Sequence, residues 1–168
     1  MSPRSPVHAP ERPNIPERPN TVPWPPLIYL GAIVAAALLE YLFPHTPALP
    51  ESLLLRWLGG AVFLGGLWLA LSGIRQFVEI DTPVNPTGQA RQLATEGIYA
   101  RTRNPMYLGA LVGFVGLGLA LRSTWLLLAV PAMAVALHIL AISREEAYLE
   151  RVFGEEYRHF RSRVRRWI

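Results

Sequence analysis

Residues 104–146 read NPMYLGALVGFVGLGLALRSTWLLLAVPAMAVALHILAISREE. Two apolar runs, Pro105 to Leu121 and Thr124 to Ser143, are separated only by Arg122 and Ser123. Each approaches the ~20 residues that a helix needs to cross a bilayer core. A two-residue link leaves them one arrangement, an antiparallel helical hairpin, with Ser123 as the N-cap of its second arm. Asn104-Pro105 supplies an N-cap followed by proline at the first helical position, which fixes where the first arm starts. Counting ~1.5 Å per residue away from the turn puts Tyr107 and His138 at one depth, Arg103 near Ile142 and Arg101 near Glu145.

Working outward, Pro26 to Phe43 and Leu53 to Val78 are two further apolar runs of spanning length. The fold expected is all-α, an integral membrane protein with four transmembrane helices. Glu40, near the end of the first run, is expected at the interface or capping a polar pocket. Small residues recur on one face of two helices, Gly59, Gly66, Ala70 and Gly73 on one and Gly109, Gly113, Gly116 and Ala120 on the other. In lipid such faces let helix backbones approach closely. Gly116-Leu117-Gly118 is not a nucleotide fingerprint, because no strand precedes it.

All 16 basic residues are Arg, and 14 of them fall on one side of the four expected spans, leaving Arg56 and Arg122 opposite. That asymmetry places both termini in the cytoplasm, and the Arg-only, Ala/Leu-rich composition points to a bacterial inner membrane. The net charge of +4 surrounds apolar runs without aromatic platforms, which fits anionic headgroups rather than nucleic acid. With 51% hydrophobic residues and no cysteine, the chain has more apolar content than a soluble core requires and no thiol chemistry. Residues 1–25 hold half of the 16 prolines and are expected to be a disordered cytoplasmic leader to a single membrane domain, 26–168. After the hairpin, Leu149, Phe153, Tyr157, Phe160, Val164 and Ile168 recur at three or four residues amid Arg and Glu. An amphipathic interfacial helix over 145–166, broken at Gly154, is expected there, either as an anchor or as the roof of a pocket.

The cytoplasmic end of the hairpin therefore gathers Tyr99, Arg101, Arg103, Asn104 and Tyr107 with His138, Arg144, Glu145 and Glu146. Seven residues separate His138 from Glu145, which puts them on nearly one helical face. Arg can hold a carboxylate, Glu an ammonium or hydroxyls, and Tyr a flat ring, so the set suits an amphiphilic, zwitterionic ligand. No HExxH, paired histidine or nucleophile elbow is present, and no metal site is expected.

The stretch Thr95 to Gly109, TEGIYARTRNPMYLG, followed by REEAYL from Arg144 and FGEEY from Phe153, resembles the isoprenylcysteine carboxyl methyltransferase and phospholipid N-methyltransferase superfamily. The similarity extends from about Gly73 to Arg166. It implies S-adenosylmethionine as cofactor, bound by Arg91, Leu93, Ala94, Tyr99, Asn104, Pro105, Met106, Tyr107, Glu145 and Glu146. Asn104 stands where the carboxyl methyltransferases carry His, which is closer to the phospholipid enzymes, whereas the Phe-Gly-x-x-Tyr pattern leans toward the former. The expected function is methyl transfer to a membrane-dissolved acceptor, an isoprenylcysteine carboxylate, a phospholipid amine or another lipophilic molecule. Asn104 and Tyr107 would shape the pocket, Arg144 or Arg103 would steer an anionic acceptor, and His138 would take a proton from an amine. A nicotinamide-dependent reductase of sterol-reductase type and a non-catalytic membrane scaffold are the alternatives. Oligomeric state is not legible.

Overall fold

A computed structural model describes residues 20–44, 49–84 and 90–168. His8, His45 and residues 1–19 of the expected leader lie outside the described residues. Among the described residues the regular structure is entirely helical: α1 Trp24–Leu42, α2 Leu53–Glu79, α3 Pro105–Leu121, α4 Thr124–Leu137, α5 Ser143–Phe153 and α6 Glu155–Arg163. A 3-10 turn covers Gly97–Ala100, and a π-turn at His138–Ile142 joins α4 to α5.

Three continuous helical stretches are long and apolar enough to cross a membrane: Trp24–Leu42, Leu53–Glu79 and Thr124–Phe153. The helix α3 is equally apolar but has 17 residues. At ~1.5 Å per residue its axis is about 26 Å, a little under the ~30 Å hydrocarbon core. Large apolar side chains face outward along α2, with Leu54, Trp57, Leu64 and Trp68 all exposed. A surface of that kind belongs in lipid, and the protein is an integral membrane protein.

Helix order across the bundle is α2, α3, α4, α1, with α3 held between α2 and α4. The contact of α2 with α3 is built from the two small faces. A Cβ added at Gly109 would lie 2.5 Å from the Ala70 nitrogen, and one at Gly59 would lie 2.5 Å from the Ala120 nitrogen. At Gly66 it would collide with the backbone of Gly113 and Gly109, and at Gly116 with that of Phe63. Backbone against backbone leaves nothing that can yield. The cap expected of Ser123 is present, accepting from the Leu126 N–H, and Ser52 caps α2 in the same way by accepting from the Leu55 N–H. Glu40 meets the first of these, accepting from the Ser123 hydroxyl at 3.1 Å.

The stretch expected as an amphipathic helix broken at Gly154 forms two helices, α5 and α6. α5 continues α4 through the π-turn, and the chain breaks at Gly154, whose φ of 52° and ψ of −118° suit only glycine. On and beyond α6, Tyr157, Phe160 and Val164 are buried against Ala94 and Tyr99, with Phe77, Ile80 and Leu93 around them. The apolar face of the tail is thus covered by the protein's own connecting segment.

Replacing Gly66 by Ala is expected to destabilise the α2–α3 contact by about 1–3 kcal/mol. Gly60 has nothing within 4 Å of an added Cβ, so Gly60→Ala should leave the thermal unfolding midpoint in detergent unchanged. Equal midpoints for the two variants would contradict the packing described.

Candidate functional site

Glu146, on the first turn of α5, is buried although ionisable. Its Oε1 lies 3.0 Å from Arg103 Nη2 and accepts from Arg166 Nε at 3.0 Å, while its Oε2 accepts from Arg166 Nη2 at 2.5 Å. A lone buried carboxylate would be strongly unfavourable, and two guanidiniums offset that cost. The bond to Glu146 holds the Arg166 guanidinium above its usual basicity. Arg166 also lies 3.1 Å from Nδ1 of His138 through its Nη1.

One residue earlier, Glu145 accepts from the Tyr107 hydroxyl at 2.5 Å. Side chains of a helix lean toward its N-terminus, so Tyr107 on α3 reaches past the depth of its own Cα to the carboxylate. The one-face relation expected for His138 and Glu145 is displaced by one residue: Glu146 shares Arg166 with His138. A π-turn takes up an extra residue, which re-phases α5 against α4.

Between these groups and α6 lies a cleft of about 880 Å³, counting its mouth open to solvent. One wall is apolar and aromatic: Phe77, Leu93, Ala94, Tyr99, Tyr148, Leu149, Tyr157 and Phe160. Tyr99 stacks on Phe77 with ring centroids 5.3 Å apart and planes 13° off parallel. The other wall carries Arg103, Asn104, Met106, Tyr107, Glu145 and Glu146. The connecting segment is tied across the cleft, with the Ala90 N–H donating to the Tyr148 hydroxyl at 3.2 Å and the Gln92 N–H to Thr82 Oγ1 at 3.1 Å.

Polar atoms buried without a partner are rare and ask for a cause. Here the Tyr99 hydroxyl and both Nε and Nη1 of Arg103 are such atoms, and only 9% of the Arg103 side chain is exposed. Burial, and then the charge of Glu145, push the Tyr99 phenol well above its ordinary range, so it stays a donor. Three unused donors beside an aromatic wall fit a ligand that joins an oxyanion to a flat ring.

The model of the phospholipid methyltransferase family matches residues 54–156. The chain belongs to that family. An "Uncharacterized protein" of Haemophilus influenzae is 38% identical over 63 residues, 38% of this chain and 100% of that protein. No solved structure matches.

For a phospholipid methyltransferase family member the resemblance named Leu93, Ala94, Tyr99, Asn104, Met106, Tyr107, Glu145 and Glu146, and the structure brings all of them to the cleft. It does not bring Arg91, which is exposed and paired with Asp81 at 2.5 Å across the connecting segment. Pro105 is fully buried and outside the lining. His138 also lies outside the lining, its Nδ1 facing Arg166, and Arg144 is exposed on the outer side of α5. Asn104 lines the cleft but makes no side-chain cap. Its Nδ2 donates to the Arg166 carbonyl at 3.1 Å, which takes the amide away from the helix end. Arg103 reaches Glu146 rather than stopping near Ile142, and Arg101 is exposed, because residues 101–104 are not helical and advance further per residue than the 1.5 Å count allows. Sequence reasoning did not single out Arg166, one of several arginines in the tail. Tyr157 and Phe160 entered through the amphipathic periodicity and Tyr148 through the stretch that carries the resemblance, none of them as a site residue.

Tyr99→Phe removes an unpartnered buried hydroxyl and should leave the ligand-free protein as stable or about 1 kcal/mol more stable. Tyr107→Phe breaks a made bond to a carboxylate and should lower stability by about 1–3 kcal/mol. Thermal midpoints in detergent check the pair, and a Tyr99→Phe loss as large as that of Tyr107→Phe would show the hydroxyl to be engaged.

Proposed function

We propose that the protein is an S-adenosylmethionine-dependent methyltransferase that methylates an amine-bearing lipid, with four spans, both termini in the cytoplasm and the cleft at the cytoplasmic face of a bacterial inner membrane. The observation that carries this reading is the buried Arg103, fixed on one side by Glu146 and unpartnered at Nε and Nη1 beside a wall of aromatic side chains. Fourteen arginines on one side of the four expected spans support the orientation, and the 17 apolar residues of α3 serve as the fourth span with modest thinning or snorkelling.

Arg103 and the Tyr99 hydroxyl would take the carboxylate of the cofactor, and the aromatic wall its adenine. S-adenosylmethionine, when bound, supplies a methyl group on an already activated sulfonium leaving group. The chain therefore has no nucleophile to provide, and its work is alignment and exclusion of water. Arg103 and Arg166 balance Glu145 and Glu146 in formal charge, which suits zwitterionic ligands.

Glu145 is the group placed to handle a proton. Its Oε1 is taken by Tyr107, and Oε2 has no hydrogen-bond partner among the described residues. An acceptor ammonium would be drawn to that carboxylate, give its proton to Oε2 and expose the nitrogen lone pair for attack. His138, expected earlier in this role, is outside the cleft, with its Nδ1 3.1 Å from Arg166 Nη1. The acceptor headgroup would enter from the bilayer, where Trp24, Ile28 and Tyr29 of α1 pack beside Tyr107.

The purified protein, incubated with bacterial lipid extract and methyl-labelled donor, should place label in a headgroup that withstands alkaline treatment, as an N-methyl does. Release of the label as methanol would identify a carboxyl ester and overturn the amine assignment. Protection against thermal unfolding by NADPH but not by S-adenosylhomocysteine would overturn the donor. Glu145→Gln should slow transfer at neutral pH by about 10²–10⁴-fold, a larger factor than any loss of affinity for S-adenosylhomocysteine, since the general base acts on the chemical step.

A further inference from the structure

The last residues of the chain are not a loose end. Past α6, Val164 turns into an extended conformation, and residues 165–166 lie alongside residues 102–104. The Arg103 N–H donates to the Arg165 carbonyl at 3.0 Å. The Arg166 carbonyl accepts twice, from Thr102 Oγ1 and from Asn104 Nδ2, each at 3.1 Å. Trp167 packs on the core that contains Tyr107 and Leu137. Residues 102–104 belong to no helix, and these bonds are what hold them against the bundle.

The Arg166 side chain then reaches into the site. Two of its nitrogens engage Glu146 and the third meets His138. Glu146 Oε1 is thereby shared between Arg166 Nε and Arg103 Nη2. A carboxylate facing a single guanidinium settles into a fork that uses two parallel N–H groups. With Arg166 competing for it, Glu146 holds Arg103 by one nitrogen and leaves Nε and Nη1 unused.

We infer that the C-terminal segment 164–167 is a clasp, and that Arg166 is a positioning residue which, by dividing Glu146 with Arg103, keeps Nε and Nη1 of Arg103 free for a ligand. Without Arg166, Glu146 turns fully onto Arg103 and takes Nη2 together with a second nitrogen that is otherwise free for ligand. The backbone bonds of the clasp loosen at the same time, because the ion pair that anchors residue 166 is gone.

The test uses the full-length protein in detergent micelles, with Arg166→Gln and Arg166→Lys. Amide hydrogen exchange without any ligand reads the clasp: exchange at Arg103 should rise about tenfold or more in Arg166→Gln, while amides within α3 keep their protection. Titration with S-adenosylhomocysteine reads the positioning, which rests on the proposed donor reading. Its Kd should rise about tenfold or more in Arg166→Gln, the worth of a charge-assisted bond. Arg166→Lys, which keeps the charge without the fork, should recover part of the affinity. A double-mutant cycle with Glu146→Gln should be strongly non-additive, as expected if Arg166 acts through Glu146. Unchanged exchange at Arg103 in Arg166→Gln overturns the clasp. Faster exchange with unaltered affinity overturns the positioning role and leaves a purely structural tie. An unaltered protein that binds no S-adenosylhomocysteine defeats the donor reading alone, and the exchange result still decides the clasp.

Discussion

One buried carboxylate joins three separate parts of the chain. Glu146 is carried by α5, Arg103 by the segment before α3, and Arg166 by the end of the polypeptide, and the three meet where the bundle ends. None of these charges is stable alone away from water. Together they satisfy one another except at Nε and Nη1 of Arg103, a residue that also lines the cleft. The same interaction that ties the fold together thus leaves two guanidinium nitrogens without a partner.

The helices serve that arrangement by bringing their polar ends close. In lipid there is little hydrophobic gain in pressing one apolar helix on another, so close approach has to come from small residues and backbone contact. Gly59, Gly66, Gly109 and Gly116 provide it, and α2 and α3 meet with no room for a single added carbon. The tight pairing sets Phe77, near the end of α2, beside Tyr99, ahead of α3, and their stacked rings form part of the aromatic wall. α6 adds Tyr157 and Phe160 to that wall, packed with Ala94 and Tyr99.

How much of this could be read from residues alone depends on the kind of constraint involved. The hairpin was legible because two residues, Arg122 and Ser123, cannot connect two long apolar helices any other way, and the ends of α3 and the cap at Ser123 followed from local chemistry. The paired glycine faces were legible because a 3.6-residue period survives into the contact. The division of labour between Glu145 and Glu146 was not, since it turns on a π-turn that shifts phase by one residue and leaves no compositional mark. Asn104 has the chemistry of a cap but spends its amide on the Arg166 carbonyl, a partner 62 residues away. Arg166 itself stands beside Arg163 and Arg165 in a tail where charge pattern separates none of them. Arg91, suggested by likeness alone, is claimed by the nearby Asp81.

The unpartnered nitrogens of Arg103 are proposed to receive an oxyanion attached to an adenosine. The most direct measurement compares S-adenosylhomocysteine with 5′-methylthioadenosine, which lacks the amino-acid portion, in equilibrium binding to the unaltered protein and to Arg103→Gln. The unaltered protein should prefer S-adenosylhomocysteine by about tenfold or more, as a charge-assisted bond to a carboxylate warrants, and the preference should collapse in the variant. An equal preference in both proteins would contradict the account.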